Sequence, residues 1–271
     1  LDYGFDVEYG SLKEGAIDSS LEAFVNIPIG SNMAARLSAY NVQDGGWIDN
    51  QKASFTYQNG GINYTINNFT DPYDVAENDY NDSTKEGARL RLAGEFDNFD
   101  LDISFLTQDS IVNGSYETDI LNDLQTAEQS RRTNTRFAPE VYKDNFDQMS
   151  ISLSGSITDD IDVVLTSSIF ERDTEYTYDY SSYVEYYSYA AYSYYVCNYY
   201  EYYGYYYIDI NDCRDPRMTY AQSNDIERTA TEIRVSSDND SGFNWVLGAF
   251  QETDEKVTDV DYLQPGGSYY T

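Results

Sequence analysis

The sequence contains no histidine. That excludes Ser-His-Asp and Cys-His catalysis, the paired-histidine zinc protease motif and the two-Cys, two-His zinc finger, all of which need an imidazole. Basic residues are scarce. There are 16 Lys and Arg against 48 Asp and Glu, a formal net charge of -32. Such a chain offers no cationic footprint for phosphate backbones, so nucleic acid is not an expected partner. No run of about 18 apolar residues occurs, so no transmembrane helix is expected. A spanning β-strand needs only about 10 residues of alternating pattern and is not excluded. Proline is rare, with 5 residues, and cysteine is limited to Cys197 and Cys213. The two cysteines lie close together in a loop-like stretch, which fits a disulfide in an oxidising compartment, worth about 3 kcal/mol if unstrained. Two unrelated thiols in an exposed loop are the alternative.

What is abundant is tyrosine, with 30 residues, inside an aromatic content of 16%. Disordered acidic chains are poor in aromatics, so this one is expected to fold. The pattern is period 2, repeated many times. Met149, Ile151, Leu153, Gly155 and Ile157 alternate with Gln148, Ser150, Ser152, Ser154 and Ser156. Phe99, Leu101, Ile103 and Phe105 alternate with Asp100, Asp102 and Ser104, and Tyr3, Phe5, Val7 and Tyr9 with Gly4, Asp6 and Glu8. The alternation predicts about nine strands, near 2–11, 16–27, 33–43, 85–97, 99–109, 146–157, 161–178, 226–237 and 243–256. Every second connection is tight, at 28–32, 97–98, 158–160 and 238–242. Between them lie long polar excursions at 44–84, 110–145 and 179–225, and the first hairpin, at Lys13-Glu14-Gly15, is the short member of that set.

The expected fold class is all-β: an antiparallel up-and-down meander, part of a transmembrane β-barrel, with long loops on one rim and short turns on the other. Outer-membrane barrels have that asymmetry, and compact soluble domains seldom carry three such loops on one side. The polar faces mix both signs, with Glu22, Arg36, Arg89, Arg91, Glu95, Asp100, Asp102, Glu232 and Arg234. That suits a barrel lumen or a solvated face equally. Tyr9, Tyr40, Phe96, Phe99, Phe243 and Trp245 are placed at the ends of apolar faces. They form either an interfacial girdle or an ordinary aromatic core edge.

Several segments resemble the TonB-dependent outer-membrane receptors. They are Val7–Ser11, Val25-Asn26-Ile27-Pro28-Ile29, Ala34-Ala35-Arg36-Leu37-Ser38-Ala39-Tyr40 and Gly46-Trp47-Ile48-Asp49-Asn50. The hairpin Thr231–Ser237 with Asn244–Phe250 adds to them. The resemblance covers both ends of the chain. It implies a location in the outer membrane of a Gram-negative bacterium, in contact with lipid. It implies uptake of a scarce nutrient, such as a ferric siderophore or other iron chelate, cobalamin or an oligosaccharide. The inner-membrane TonB complex would drive this through a plug domain. Members have about 22 strands, so residues 1–271 read as a partial barrel without plug, signal peptide or closing C-terminal strand. A passive porin-like barrel and a secreted acidic β-rich binding or adhesion module are the competing readings. No enzyme, cofactor or metal site is expected.

The stretch from Tyr176 to Tyr207 holds 17 of the 30 tyrosines. Tyrosine offers large, rigid area with a polar tip. The ligand-contact candidates are therefore Tyr183, Tyr186, Tyr187, Tyr194, Tyr195, Tyr199, Tyr202 and Tyr203; a low-complexity strand extension is the alternative. Residues 116–130 have helical spacing at Ile120, Leu121, Leu124 and Ala127. Asp71, Asp74, Glu77, Asp79 and Asp82 crowd one loop without the EF-hand spacing, and are expected to be a solvated acidic loop.

Overall fold

The computed structural model describes residues 1–59, 62–70, 74–118, 132–181, 197–213, 215, 217–237 and 242–263. It is all-β, with no helix among the described residues. Nine strands make one antiparallel sheet: β1 (Asp2–Ser11), β2 (Ile17–Ile29), β3 (Met33–Asp44), β7 (Ser83–Phe96), β8 (Phe99–Asn113), β10 (Val141–Thr158), β11 (Ile161–Asp179), β14 (Thr219–Ser237) and β15 (Val246–Leu263). They lie side by side in chain order, so the sheet is a meander, open at β1 and β15. Six short strands fill the long connections. These are β4 (Asp49–Asn50), β5 (Ser54–Asn59), β6 (Ile62–Asn67), β9 (Thr133–Asn134), β12 (Cys197–Tyr202) and β13 (Tyr205–Cys213). The helix expected over 116–130 falls mostly on 119–131, outside the described residues.

Alternation sets the register. Directly opposed residues share a face, and a slip of one would carry every apolar side chain to the other side. Rows of apolar side chains therefore run across neighbouring strands. One row is Val25, Leu37, Leu90, Phe105, Met149 and Ile169. Another is Gly94, Leu101, Leu153, Leu165, Ile233 and Ala249. In β10 and β11 the band covers Met149–Ile157 and Ile161–Ile169. At about 3.4 Å per residue that is about 30 Å of strand. Its side chains are bare: Leu90 is 42% exposed, Phe105 43% and Met149 52%.

The band stops abruptly towards the long connections. The next row on the same face is Asp147, Glu171, Glu227 and Glu255, four carboxylates directly opposite one another. Like charges so placed repel. Exposure to water and salt tempers the repulsion.

The opposite face is polar. Arg91 bonds Asp102 at 2.5 Å, and Arg89 Nε donates to Ser104 Oγ at 3.1 Å. Tyr40 belongs to this face and not, as its sequence neighbourhood suggested, to the end of the apolar one. It stands opposite Gly87, and its hydroxyl donates to Gln108 Oε1 at 2.6 Å. Glycine is required there, because a Cβ on residue 87 would meet the Tyr40 hydroxyl at 2.6 Å and Thr107 O at 2.7 Å. Strand β15 starts at Val246, three residues later than the alternation suggested, so Phe243 and Trp245 belong to the turn.

Candidate functional site

Among the described residues the buried hydrophobics lie in the long connections; the sheet buries only polar side chains such as Ser104, Thr174, Asp179 and Ser237. Ile48, Ile66, Tyr80 and Ala138 are the buried hydrophobics, joined by Asn50, Asn68, Asn81, Asn134 and Glu140. Asparagine carries a donor and an acceptor on one short arm, so it can replace missing backbone partners where no ladder forms. Asn68 does so. Its Oδ1 accepts from Ala53 N at 2.8 Å, and its Nδ2 donates to Gln51 O at 2.7 Å and Arg136 O at 2.9 Å. Asn50 Oδ1 accepts from Arg136 N at 2.8 Å, and its Nδ2 donates to Val75 O at 2.7 Å. Asn81 Oδ1 accepts from Trp47 N and Ile48 N. Strands β4 and β9 pair in parallel, tying two long connections together.

Glu140 anchors this layer to the top of β11. Its carboxylate accepts from Asp179 N at 3.2 Å and Arg136 Nε at 3.1 Å, and its backbone N–H donates to the Tyr80 hydroxyl at 3.1 Å. Burial pushes the Glu140 carboxyl above its ordinary range, and Arg136 partly offsets this. Burial also raises Glu77, reinforced by Asp82 and Asp74, and raises Asp79, where Asp49 adds to it. Burial raises the Tyr80 phenol as well, with Glu140 adding to it. Of the crowded acidic loop, Asp71 lies outside the described residues. Asp79 N donates to Asp49 Oδ1, and Asp82 Oδ1 accepts from Asn113. Among the described residues no group of three or more acids could hold a metal ion.

Beside this layer, on the polar face of the sheet, lies a row of tyrosines. Tyr142 comes from β10, Tyr176 and Tyr178 from β11, Tyr220 from β14 and Tyr262 from β15. The register pairs Tyr142 with Tyr176, Tyr178 with Tyr220, and Tyr220 with Tyr262. Ring centroids are 6.2 Å apart for Tyr142 and Tyr176, 6.5 Å for Tyr176 and Tyr220, and 5.3 Å for Tyr220 and Tyr262. Tyr180, just past β11, packs on Tyr262 at 5.8 Å.

Polar groups surround the rings. Tyr178 OH donates to Glu117 Oε2 at 2.9 Å, and Tyr220 OH to Gln222 Oε1 at 2.6 Å. Tyr142 OH is 3.4 Å from Asp144, which Arg172 grips through two nitrogens at 2.8 and 2.6 Å. Arg136 reaches both Glu117 and Glu140 at 3.1 Å. The arrangement offers apolar ring surface edged by carboxylates and amides. A hollow of about 510 Å³ lies elsewhere on this face, near the tight turns, between Ser31, Arg91, Asp102 and Ser154. Arg91 and Asp102 pair with each other there, beside Glu95 and Asp100.

Of the residues singled out from sequence, Tyr183, Tyr186, Tyr187, Tyr194 and Tyr195 lie outside the described residues. Tyr199 stands in β12 opposite Ile208. Tyr202 and Tyr203 sit at the turn between β12 and β13, exposed, with ring centroids 4.4 Å apart. Tyr203 and Gly204 both have positive φ, 52° and 78°. A two-residue hairpin loop of the favoured twist demands that geometry. The backbone register sets Cys197 opposite Cys213. Opposed strand residues have Cα atoms about 4.5–5.5 Å apart, within the range a disulfide spans.

Sequence reasoning missed Tyr142, Tyr220 and Tyr262. Each begins or ends a strand extension, and each is two residues from another polar-face residue (Asp144, Gln222 and Val260 mark the step). That spacing was the available signal. No family model matches the chain, and no curated protein or solved structure matches it.

Proposed function

We propose that this chain is a β-barrel portion of an outer-membrane receptor of the TonB-dependent type. It would take up a scarce nutrient, with the long-connection rim facing outward and the tyrosine row meeting the ligand. The observation that carries this reading is the bare apolar band. Soluble proteins seldom leave a contiguous apolar patch larger than a few hundred Å² uncovered, and this one crosses neighbouring strands row by row. Its nine-residue height in β10 and β11 matches the about 9–11 residues of a spanning strand. The carboxylate row beyond it suits water or headgroups, not acyl chains.

Three further features support the reading. Tight turns fall on one rim and, apart from the short connection 12–16, long connections on the other. The long connections are folded around a buried polar network, as a ligand-binding surface requires. The segments resembling the family occupy β2, β3, the Asn50 hub and the β14–β15 hairpin. A soluble adhesion module would need a second layer over the band, and none is present among the described residues. A Cys197–Cys213 bridge would pin the base of the tyrosine-bearing β12–β13 hairpin; labelling of either thiol in unreduced protein would refute it.

The test is reconstitution. Protein refolded into lipid vesicles should float with them through a density gradient and resist alkaline carbonate extraction. Its tight turns should be sealed from added protease on one side. Recovery as a soluble monomer without lipid or detergent would overturn the reading.

A further inference from the structure

We propose that the tyrosine-bearing face of the β12–β13 hairpin is a docking surface for an arginine-rich polypeptide segment bound in extended form. This goes beyond the receptor reading and does not rest on it, because the hairpin stands in the third long connection, outside the nine-stranded sheet.

The hairpin presents its tyrosines to solvent. Register and period 2 place Tyr200, Tyr202, Tyr205 and Tyr207 on one face, with Tyr200 opposite Tyr207 and Tyr202 opposite Tyr205. All four are exposed, by 46 to 69%. The Tyr200 and Tyr207 rings lie nearly parallel, at 25° to each other, with centroids 5.8 Å apart. Tyr203 adds another exposed ring at the turn. Large side chains left bare together mark an interaction site, and tyrosine is enriched where proteins meet.

The charge gives the sign of the partner. Between Arg172 and Arg214 the sequence contains no Lys or Arg, and the hairpin itself holds Glu201, Asp209 and Asp212. A cationic surface complements it. Arginine fits better than lysine, because its planar guanidinium stacks on aromatic rings and donates several hydrogen bonds at once. The chain makes this contact within itself, where the Arg36 guanidinium lies 4.1 Å from the centre of the Phe24 ring.

The backbone favours a polypeptide over a small polyamine. Among the described residues β12 and β13 pair only with each other, so each has an outer edge of donors and acceptors. An extended chain can join such an edge as a third strand. Every second side chain of that strand then falls on the tyrosine face. A second copy of this chain is disfavoured, since it would bring another net charge of -32, and like charges repel across an interface.

The test uses the whole chain in nonionic detergent micelles, titrated by calorimetry with nona-arginine, nona-lysine, spermine and nona-glutamate. Nona-arginine should bind saturably, about three-fold tighter than nona-lysine, and nona-glutamate should not bind. Tyr200→Ser combined with Tyr207→Ser, which leaves the charge unchanged, should weaken nona-arginine by about ten-fold. Tyr207→Phe, which keeps the ring, should stay within about two-fold. Tyr116→Ser, exposed in another long connection, should change nothing. Hydrogen exchange of the unsubstituted protein needs no variant: nona-arginine should slow exchange at 199–208. Binding that ignores the tyrosine variants, or protection centred on Asp147, Glu171, Glu227 and Glu255 instead, overturns the inference in favour of diffuse acidity. Spermine or nona-lysine matching nona-arginine overturns it as well. Dimerisation abolished by the double variant overturns it by giving the face to a second copy. Recovery as a soluble monomer without detergent overturns the receptor reading alone and leaves the hairpin to be judged by the same titrations.

Discussion

The nine-stranded sheet and the layer of long connections solve opposite problems. The sheet satisfies its backbone by continuous ladders from β1 to β15, yet leaves its apolar side chains bare. The connections have few ladders, yet contain the buried hydrophobics and a set of fully enclosed asparagines. On the receptor reading proposed above, the apolar band would meet acyl chains, and the open edges of β1 and β15 would have to pair with further strands of the barrel, since that medium leaves no backbone group unbonded. Irregular backbone in water can be buried only if side chains such as Asn50 and Asn68 take up its donors and acceptors.

If the contrast holds, each region should fail in its own way. The largest effect is expected from Leu90→Arg in the middle of the band, at a cost of about 3 kcal/mol for insertion. Vesicle-bound protein should fall sharply, while detergent-refolded protein keeps the proton-exchange protection of its long connections. Loss of that protection as well would show that the two regions are one cooperative unit.

A smaller effect is expected from Asn68→Ala. It strands buried partners at Ala53, Gln51 and Arg136, and costs about 2 kcal/mol within the layer. Faster hydrogen exchange and proteolysis at 45–82 and 132–140 should follow, with the β-sheet circular dichroism unchanged.

The smallest concerns pH. The Glu140 and Glu77 carboxyls are held above their ordinary range in the folded layer. The folded form therefore binds more protons than the unfolded one between the two ranges, and stability falls as pH rises through the folded values. Protection of the layer, measured by exchange with intrinsic rates corrected, should decline from mildly acidic to neutral pH. Glu140→Gln should flatten that decline; an unchanged slope would assign it elsewhere.

Legibility in sequence followed the same division. All nine long strands lie where alternation placed them, because side-chain direction in a strand is a local property. Their outer ends were cut short. Residues 141–145, 219–225 and 257–263 are mostly polar or aromatic, with only isolated aliphatics (Val141, Ala221, Val257, Val260 and Leu263), so period 2 fades there while the neighbouring strand still supplies hydrogen bonds. In β12 and β13, tyrosines on both faces hide the alternation. Two-residue pieces such as β4 and β9 are too short to have a period at all.

By itself, the sequence determined the strands, the faces and the order of tight and long connections. It also set the excess of acid that any partner must meet. Only the tertiary structure decided that Tyr142, Tyr176, Tyr220 and Tyr262 form one row, that Tyr40 turns to the polar face over Gly87, and that Asn68 holds Arg136. Those contacts join positions up to 68 residues apart, as in Asn68 and Arg136. Period and propensity act over a few residues. Closure of long connections is what fixes which strand edges, and so which side chains, stand opposite each other.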